Sequence, residues 1–387
     1  MGQLCFNEKE NKRKGGMNRV MKLLNSKKYY IWGTGIRAEQ INRYYVEQLK
    51  QINLIGYIDN TPSKWEGEFF GKKIYSPNIL RDDKDSNIIV VSKFAEEIIH
   101  QIKKEYPWYE DKIETLFFER LQVMARYKNC KEKEIQHILS YLNDHPFHVF
   151  NYPFVDKYKN ISINIEYDEE KELYYTLHYN KRMYFSRSFK SKDRVREYYR
   201  FICIEQDIKS PHRYLTDTFN VPDNAVVVDA GAAEGNFALS IIESAKKIYM
   251  FEPDAGWVEA LKYTFEPYKE KVEIINKCLS NYIDNTTTTI DEVLNGAKVD
   301  FIKMDIEGEE YCAIEGAQES IVSSGDIKCV VCTYHQDFAH NAIKKLLETL
   351  NFKNKTSDGY MWYPEDFNIM RAPVLRRGVI RAEKREK

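Results

Sequence analysis

The chain of 387 residues has a formal net charge of −1, with 43% hydrophobic and 30% charged residues. This composition is typical of a globular protein and excludes a disordered or fibrous chain. The near-neutral charge gives no reason to expect a nucleic-acid partner. The apolar runs are far shorter than the roughly 20 residues of a membrane span, so we expect none. The length predicts two or three domains.

The beginning of the chain and its cysteines point to a cytoplasmic protein. Residues 1–28 are polar and contain no apolar signal segment, so we expect a disordered lead. The seven cysteines are scattered, and only Cys329 and Cys332 are close together. Because CVVC is typical of a strand and no second pair follows, we interpret these residues as reduced, buried thiols rather than zinc ligands.

Residues 29–120 alternate between strand and helix patterns. Strands are predicted at YYIW, LIGYID and NIIVVS, helices at IRAEQINRYYVEQL and AEEIIHQIKKEY, and IETLFF is expected to close the sheet. This βαβ order predicts a small Rossmann-like α/β domain with a parallel sheet.

The turn WGTGIRA in this domain has the pattern of a nucleotide-binding turn. Gly33, Gly35 and Ala38 fit G-x-G-x-x-A, and Asp59 ends the next strand at nearly the spacing of a dinucleotide fingerprint. These four residues predict a site for a nucleotide or nucleotide sugar. Only half of a dinucleotide fold follows, and no catalytic residues accompany it. A structural domain that keeps its glycines for packing is therefore the alternative.

Residues 121–220 differ from the segments on either side. Helices are predicted at EKEIQHILSYLND and DRVREYYRFICIEQD, whereas ISINIEYD, ELYYTLHY and RMYFS alternate like antiparallel strands. We interpret this region as an α+β connecting subdomain.

Residues 221–387 return to an α/β pattern. Strands are predicted at AVVVDA, KIYMFEP, VEIINK, DFIKMDI and CVVCTYH, with helices at NFALSIIES, GWVEALKYTF, CAIEGAQESIV and NAIKKLLETLN. The first strand runs into the turn DAGAAEG, where a doubly wound sheet binds ligands. Gly231 allows close backbone approach, Asp229 can accept a hydrogen bond, and Glu252 ends the next strand where ribose hydroxyls bind.

A charged face follows the fourth predicted strand. Lys303, Asp305 and Glu307 alternate along DFIKMDIEG and therefore share one face. Three charges on one face of an apolar strand are costly to bury without a ligand or partner. The pattern favours a functional site, and an internal network of lysine and carboxylates is the alternative.

Several segments together resemble the FkbM-type S-adenosylmethionine-dependent methyltransferases over about residues 221–380. They are VVVDAGAAEGNFAL, FEP, TIDEVL, DFIKMDIEGEEYCAIEGA and CTYHQ. The resemblance implies a Rossmann-like domain that uses S-adenosylmethionine to O-methylate a hydroxyl of a sugar or glycan precursor. The turn AGAAEG departs from the VGANIG-like turn of the family. The cofactor-binding residues that follow from the resemblance are Asp229, Gly231, Ala232, Glu234, Gly235, Glu252 and Asp305.

The catalytic candidates lie at two neighbouring strand ends. His335 follows the fifth strand and Asp305 ends the fourth, so both open on the same side of the sheet. Imidazole accepts protons near neutrality, and we predict His335 as the general base with Asp305 orienting it. The alternatives are a structural His335, Asp305 acting alone, and Asp305 ligating a metal with Glu307. We predict no metal site.

Three residues are predicted to contact the substrate, namely Glu307, His212 and Arg213. The last two lie in EQDIKSPHRYL, which resembles a segment of longer bacterial members of the family. A helix-capping role is the alternative for His212. Two other functions are the alternatives for the whole chain: a nicotinamide-dependent oxidoreductase using the N-terminal turn, and a non-catalytic nucleotide-binding scaffold. The partial fold and the missing base count against the oxidoreductase.

Overall fold

The computed structural model describes residues 27–363 and 372–385. The polar lead predicted over residues 1–28 therefore lies almost wholly outside the described residues. The chain divides into two compact units at residue 152, and residues 372–374 belong to the first of them. This division does not coincide with the boundaries predicted at residues 120 and 220, which stay predictions about domains. Among the described residues, no helix has the length and apolar character to cross a membrane.

The first unit is built around one six-stranded sheet. Its strands are β1 (Lys28–Trp32), β2 (Asn53–Ile58), β3 (Glu68–Phe69), β4 (Lys72–Tyr75), β5 (Asn87–Val90) and β6 (Ile113–Glu114). Their order is β3-β4-β2-β1-β5-β6, and every pairing is parallel except that of β3 with β4. The parallel strands follow a Rossmann-type order, which confirms the predicted small α/β fold.

Helices connect and follow these strands. They are α1 (Ile36–Tyr44), α2 (Val46–Leu49), α3 (Ile79–Asp82), α4 (Ala95–Glu105), α5 (Phe117–Tyr127) and α6 (Lys133–Tyr141), with 3-10 helices at Pro62–Lys64 and Pro107–Lys112.

Two predicted elements of this unit differ in the structure. The single helix predicted over residues 36–49 is interrupted at Tyr45, whose buried ring packs on Phe118 with 4.7 Å between centroids. The strand predicted at IETLFF is wrong beyond Glu114. Phe117 begins α5, because Phe117, Leu121 and Met124 recur at helical spacing and bury one face.

The second unit contains the larger sheet and several short strands. Its strands are β7 (Glu166–Asp168), β8 (Leu173–His178), β9 (Lys181–Tyr184), β10 (Val226–Ala230), β11 (Lys247–Phe251), β12 (Val272–Ile275), β13 (Cys278–Leu279), β14 (Thr287–Thr288), β15 (Phe301–Met304), β16 (Ile327–Cys332), β17 (Lys353–Thr356), β18 (Met361–Trp362), β19 (Leu375–Arg376) and β20 (Val379–Lys384). Its helices are α7 (Lys192–Glu205), α8 (Asn236–Ile241), α9 (Ala255–Thr264), α10 (Ile290–Leu294), α11 (Glu310–Glu315), α12 (Gln318–Ser323) and α13 (Ala339–Thr349), with 3-10 helices at Pro153–Tyr158 and Glu266–Tyr268.

The main sheet has the order β12-β11-β10-β15-β16-β20-β17. The first five strands are parallel, and β20 runs antiparallel to both of its neighbours. The strand order reverses between β10 and β15, as in a doubly wound Rossmann-like sheet. Buried residues of the sheet, including Val228, Ile302 and Val331, pack on residues of α10 to α13, among them Ile343 and Leu347 of α13. The predicted Rossmann-like α/β class is confirmed for this unit.

Residues that precede the main sheet form a small antiparallel sheet of β7, β8 and β9, as their alternation predicts. Leu173, Tyr175 and Tyr184 of this sheet pack on Ala260 of α9.

One predicted helix next to the main sheet differs in the structure. The helix predicted over residues 312–322 is interrupted at Gly316. A Cβ there would lie 2.2 Å from the carbonyl oxygen of Ser280, so this close approach requires glycine.

Candidate functional site

The turn after β10 forms the base of the site. Gly231 has a φ of +75°, and a Cβ there would lie 1.9 Å from the carbonyl oxygen of Asp305. The N–H groups of Gly231 and Ala232 both donate to the carbonyl of Phe251, at 3.0 Å each. Gly235, with a φ of +81°, then begins α8. The two glycines let the chain turn tightly between the ends of β10, β11 and β15.

Glu252 connects this turn to the end of β11. One carboxylate oxygen accepts the N–H of Ala233 at 2.8 Å, and the other accepts the N–H of Asp254 at 2.9 Å. Burial raises the pKa of Glu252, and these two hydrogen bonds oppose that shift. The carboxylate is therefore held in one orientation beside the turn, and each oxygen retains a second acceptor site.

Asp229 and Lys303 form a buried ion pair between β10 and β15. The two residues are direct partners in the sheet, and Lys303 Nζ lies 3.0 Å from Asp229 Oδ1. The ammonium also donates to the carbonyl of Gly231 at 2.5 Å. Burial alone would lower the pKa of Lys303, but the nearby carboxylates of Asp229 and Asp305 raise it. An internal lysine and carboxylate network therefore exists at this position, directly beneath the turn.

Glu234 belongs to the same turn but has a different partner. It is buried, and Tyr198 of α7 donates its hydroxyl to Glu234 at 2.8 Å. Burial raises the pKa of Glu234 to about 7. The ring of Tyr198 packs near Trp257 and Phe189, with centroids 5.7 Å and 5.0 Å away. Residues before the main sheet therefore provide one wall of the turn.

Asp305 is the centre of a polar cluster at the end of β15. Its carboxylate accepts the hydroxyl hydrogens of Tyr214 at 2.6 Å and Tyr334 at 2.9 Å. His212 Nε2 lies 3.3 Å from it, and His335 Nε2 lies 3.4 Å from it. Burial opposes ionisation of Asp305, but the hydrogen bond and positive charge of His212, together with the charges of His335 and Lys303, hold its pKa well below the usual range.

His335 follows β16 and is paired with a residue that the sequence did not indicate. Its Nδ1 lies 2.8 Å from the carboxylate of Glu310, and both side chains are buried. Glu310 begins α11, and its carboxylate also accepts the N–H of Ile306 at 3.0 Å. Burial would lower the pKa of His335, whereas Glu310, Asp305 and Glu307 raise it above its ordinary value. The acidic run EGEE was the available signal for Glu310, but the sequence does not show which acid faces the imidazole.

The three residues predicted to contact substrate lie in different surroundings. Glu307 is exposed, has a φ of +57°, and accepts a hydrogen bond from the hydroxyl of Tyr363. His212 is buried against Asp305 and Tyr334. The guanidinium of Arg213 donates to two backbone carbonyls. Of the three, Glu307 has the side chain that is open to solvent.

Two groups of side chains in the cluster have the chemistry of metal ligands. They are Asp305 with Glu310 and His335, and Asp305 with His212 and Cys332. In each group the donor atoms lie within 4.8 Å of one another. Both groups are also joined by hydrogen bonds or ion pairs, which explain their arrangement without an ion. The expectation that no metal binds stays a prediction, which metal analysis of the purified protein would test.

The N-terminal turn lies in the first unit, at the ends of β1 and β2. Gly33 follows β1, Gly35 begins α1, and Ala38 is buried in that helix. Asp59 follows β2 and accepts a hydrogen bond from Thr34. The four residues predicted for a nucleotide site are therefore neighbours in the fold.

A doubly wound sheet with a polar cluster at the carboxyl ends of its central strands defines the second unit as a Rossmann-like α/β fold. The family model "Methyltransferase FkbM domain" matches residues 279–356. This part of the chain is thus of FkbM methyltransferase type, and the match confirms the resemblance seen in the sequence. A second family model, "C2185-like, N-terminal", matches residues 25–114.

Solved structures resemble the chain at low identity. Methyltransferase FkbM from Methylobacillus flagellatus shares 13% identity, with a TM-score of 0.42, over 95% of this chain and 93% of its own. Precorrin-6y C5,15-methyltransferase from Geobacter metallireducens shares 11% identity, with a TM-score of 0.30, over 43% and 83%. A Streptococcus mutans protein in complex with SAH shares 14% identity, with a TM-score of 0.29, over 42% and 90%. A search of curated proteins finds no match to this chain.

Proposed function

We propose that the second unit is an S-adenosylmethionine-dependent O-methyltransferase acting on a hydroxyl of a sugar or glycan precursor. The observation that carries the proposal is the imidazole of His335, held by Glu310 on one nitrogen and facing Asp305 with the other. The match to the FkbM domain model supports methyl transfer. The choice of a glycan hydroxyl rests on the sequence resemblance alone. We also expect the protein to act in the cytoplasm.

The residues around the glycine turn suit S-adenosylmethionine. Glu252 is fixed by two backbone N–H groups and keeps an acceptor site on each oxygen for the two ribose hydroxyls. Gly231, Ala232 and Gly235 bring the backbone close to that carboxylate. When bound, the cofactor supplies an electrophilic methyl group on a positively charged sulfur.

Carboxylates beside the turn suit the cationic parts of this cofactor. The predicted cofactor residues Asp229, Glu234 and Asp305 are all acidic and lie beneath or beside the turn. Asp229 is already paired with Lys303, so we expect its role to be the orientation of the turn. Asp305 stays ionised over the physiological pH range because of its partners.

His335 is better suited than Asp305 to remove the proton from an acceptor hydroxyl. The strongly lowered pKa of Asp305 makes its carboxylate a poor base. The carboxylate of Glu310, 2.8 Å from Nδ1 of His335, favours the tautomer with its proton on Nδ1, which leaves Nε2 free to take a proton. Asp305 then stabilises the imidazolium that forms. Glu307 lies 3.7 Å from Nε2 with an exposed side chain, where it can contact the acceptor.

A methyl-transfer assay with a pool of sugar acceptors tests this function. We expect His335→Ala to lower turnover about a hundredfold or more, with cofactor affinity unchanged to within about threefold. His340→Ala, a histidine of the same unit that contacts Thr356, is the matched control and keeps full turnover. Full turnover in His335→Ala would remove this residue from the mechanism, and Asp305→Asn would be tested next. No methyl transfer to any hydroxyl acceptor by the wild-type protein would contradict the proposed function itself.

A further inference from the structure

The first unit contains a cavity of about 770 Å³ at the carboxyl ends of β1, β2 and β5. Its wall is formed by residues 32–35 at the end of β1, 59–61 after β2 and 91–94 after β5. Cavities of roughly 300–1,000 Å³ hold small molecules. Strand β1 lies between β2 and β5, where the strand order reverses. The cavity therefore occupies the place where a doubly wound sheet binds its ligand.

The two glycines of the turn differ, because packing requires a glycine at position 33 but not at position 35. A Cβ on Gly33 would lie 2.2 Å from the carbonyl oxygen of Val91, and its φ is +128°, so packing alone requires that glycine. Gly35 has a φ of −92°, and a Cβ there would meet no atom within 4 Å. Gly35 is the N-cap of α1 and provides no side-chain cap. Packing therefore does not explain why position 35 is a glycine. The missing side chain leaves open space beside the backbone N–H groups at the N-terminus of α1, which attract anions.

Trp32 gives a second and independent indication of a ligand. It lines the cavity and is only 1% exposed. Its indole nitrogen has no hydrogen-bond partner within residues 27–363 and 372–385. A buried N–H group without an acceptor is destabilising, and native proteins rarely keep one. Because protein atoms cover the N–H group in this structure, a small adjustment of the cavity wall would let an acceptor oxygen of a bound molecule satisfy it.

The charged residues of the wall fit a ligand with phosphate and hydroxyl groups. Arg37, Lys64 and Lys93 provide positive charge, against the acids Asp59 and Glu97. Burial would raise the pKa of Asp59, but hydrogen bonds from Thr34 and Lys64 lower it to about 2. The carboxylate is thus ionised and fixed at the end of β2. In Rossmann folds an acid at this position binds ribose hydroxyls.

Apolar side chains on the same wall fit a planar ring. Ile36 is 77% exposed and Phe94 is 54% exposed, and both line the cavity. Ligand pockets are lined mainly by apolar and aromatic side chains with a few polar groups. An aromatic face at this place can stack on a nucleobase.

We propose that this cavity binds the nucleoside diphosphate group of a mononucleotide, either free or as part of a nucleotide sugar. The phosphates lie at the N-terminus of α1, the ribose hydroxyls at Asp59, and the base against Phe94. A mononucleotide suits this fold better than a dinucleotide, because within the described residues only β5 and the short β6 (Ile113–Glu114) lie on the second side of β1. This site is built from other residues than the proposed methyl-transfer site, and either proposal can fail alone.

Calorimetric titration of the full chain tests the proposal with UDP, GDP, ADP, UDP-glucose and NAD. We expect at least one diphosphate to bind with a Kd of about 100 μM or tighter. Gly35→Leu, which fills the open space without backbone strain, should weaken that binding at least about tenfold, as should Lys64→Gln. Lys50→Gln is the matched control on the same unit, since Lys50 is paired with Glu47 and does not line the cavity.

A spectroscopic readout locates the bound nucleotide. In a ¹⁵N-tryptophan spectrum, assigned by the peak lost in Trp32→Phe, the indole resonance of Trp32 should shift when the nucleotide binds. Tighter binding of UDP-glucose than of UDP would identify a nucleotide sugar, and the reverse a free nucleotide. The proposal is overturned if no diphosphate binds at about 1 mM, if Gly35→Leu and Lys64→Gln both bind as the wild type does, or if NAD binds most tightly.

Discussion

The carboxylate of Glu252 accepts two backbone N–H groups and stands where the fold places ribose hydroxyls. Glu252→Gln replaces one acceptor oxygen by a donor and so removes at least one of the proposed ribose contacts. We expect the affinity for S-adenosylmethionine to fall at least tenfold, corresponding to about 1.5–3 kcal/mol. Calorimetry gives the affinity, and circular dichroism shows whether the variant is folded. Glu273→Gln on the next strand is the control. Unchanged affinity in folded Glu252→Gln would show that the ribose lies elsewhere.

The pH dependence of turnover tests the role of His335. Burial lowers the pKa of His335, but Glu310, Asp305 and Glu307 outweigh it, so the net pKa is raised above 6.5. A base acts in its unprotonated form, so kcat should fall as the pH decreases through that raised pKa. Glu310→Gln removes the nearest negative charge and should move the midpoint to lower pH by about one unit or more. The control is Glu309→Gln, which changes the neighbouring exposed glutamate and should keep the wild-type midpoint. Coinciding profiles of all three proteins would contradict this assignment.

The sequence indicated only part of this cluster. Asp305 and His335 were expected together, because parallel strand ends meet at one edge of a sheet, and they lie 3.4 Å apart. Glu310 and the two tyrosines that donate to Asp305 were not expected. Tyr214 comes from a segment before β10, and a contact over 91 positions leaves no local pattern. Glu310 faces the imidazole because of the direction in which its side chain points at the start of α11. The residue composition alone does not show that direction.

Strands β10 and β15 are joined by the pair of Asp229 and Lys303, both almost fully buried. Lys303→Met would leave the carboxylate buried without its counter-ion, and we expect a loss of about 3–5 kcal/mol in the free energy of unfolding. Asp229→Asn combined with Lys303→Met should recover much of this loss. Lys247→Met on β11 removes a more exposed pair with Glu273 and should cost about 1 kcal/mol or less.

The pH dependence of the stability of Lys303→Met shows whether the unpaired carboxylate of Asp229 or the lost packing causes the destabilisation. Burial already raises the pKa of Asp229, and removal of Lys303 raises it further. A carboxyl group with a raised folded pKa takes up a proton more readily in the folded state, so stability increases as the pH falls through that pKa. The loss in the free energy of unfolding caused by Lys303→Met, measured by chemical denaturation, should therefore be smaller near pH 5 than near pH 8. An equal deficit at both values would indicate that the lost packing dominates.

Local sequence patterns predicted whether most elements are helices or strands better than they predicted where those elements begin and end. The five parallel strands of the main sheet were all expected, because each is a short apolar run bounded by turn residues. Strand β17 was missed, since KNKT at the edge of the sheet is polar and shows no apolar run. Two predicted helices are interrupted, at Tyr45 and Gly316, by tertiary contacts that helical periodicity does not report.

At the scale of the whole molecule, the main sheet and the proposed cofactor residues all lie after residue 152. A fragment of residues 121–387, and a shorter one of residues 153–387, should therefore bind S-adenosylmethionine within about threefold of the full chain. Both should lose the binding of nucleoside diphosphates, because the cavity lies in the first unit. Calorimetry on folded, soluble fragments measures both properties.

A fragment of residues 221–387 is the informative control for that comparison. It keeps the sheet but lacks Tyr198, which donates to Glu234, and Tyr214, which donates to Asp305. We expect it to bind the cofactor at least about tenfold more weakly, because the carboxylates of Glu234 and Asp305 each lose one hydrogen bond. Equal affinity of this fragment would show that residues before β10 do not support the site. Loss of binding in folded 153–387 would instead show that cofactor binding needs the first unit.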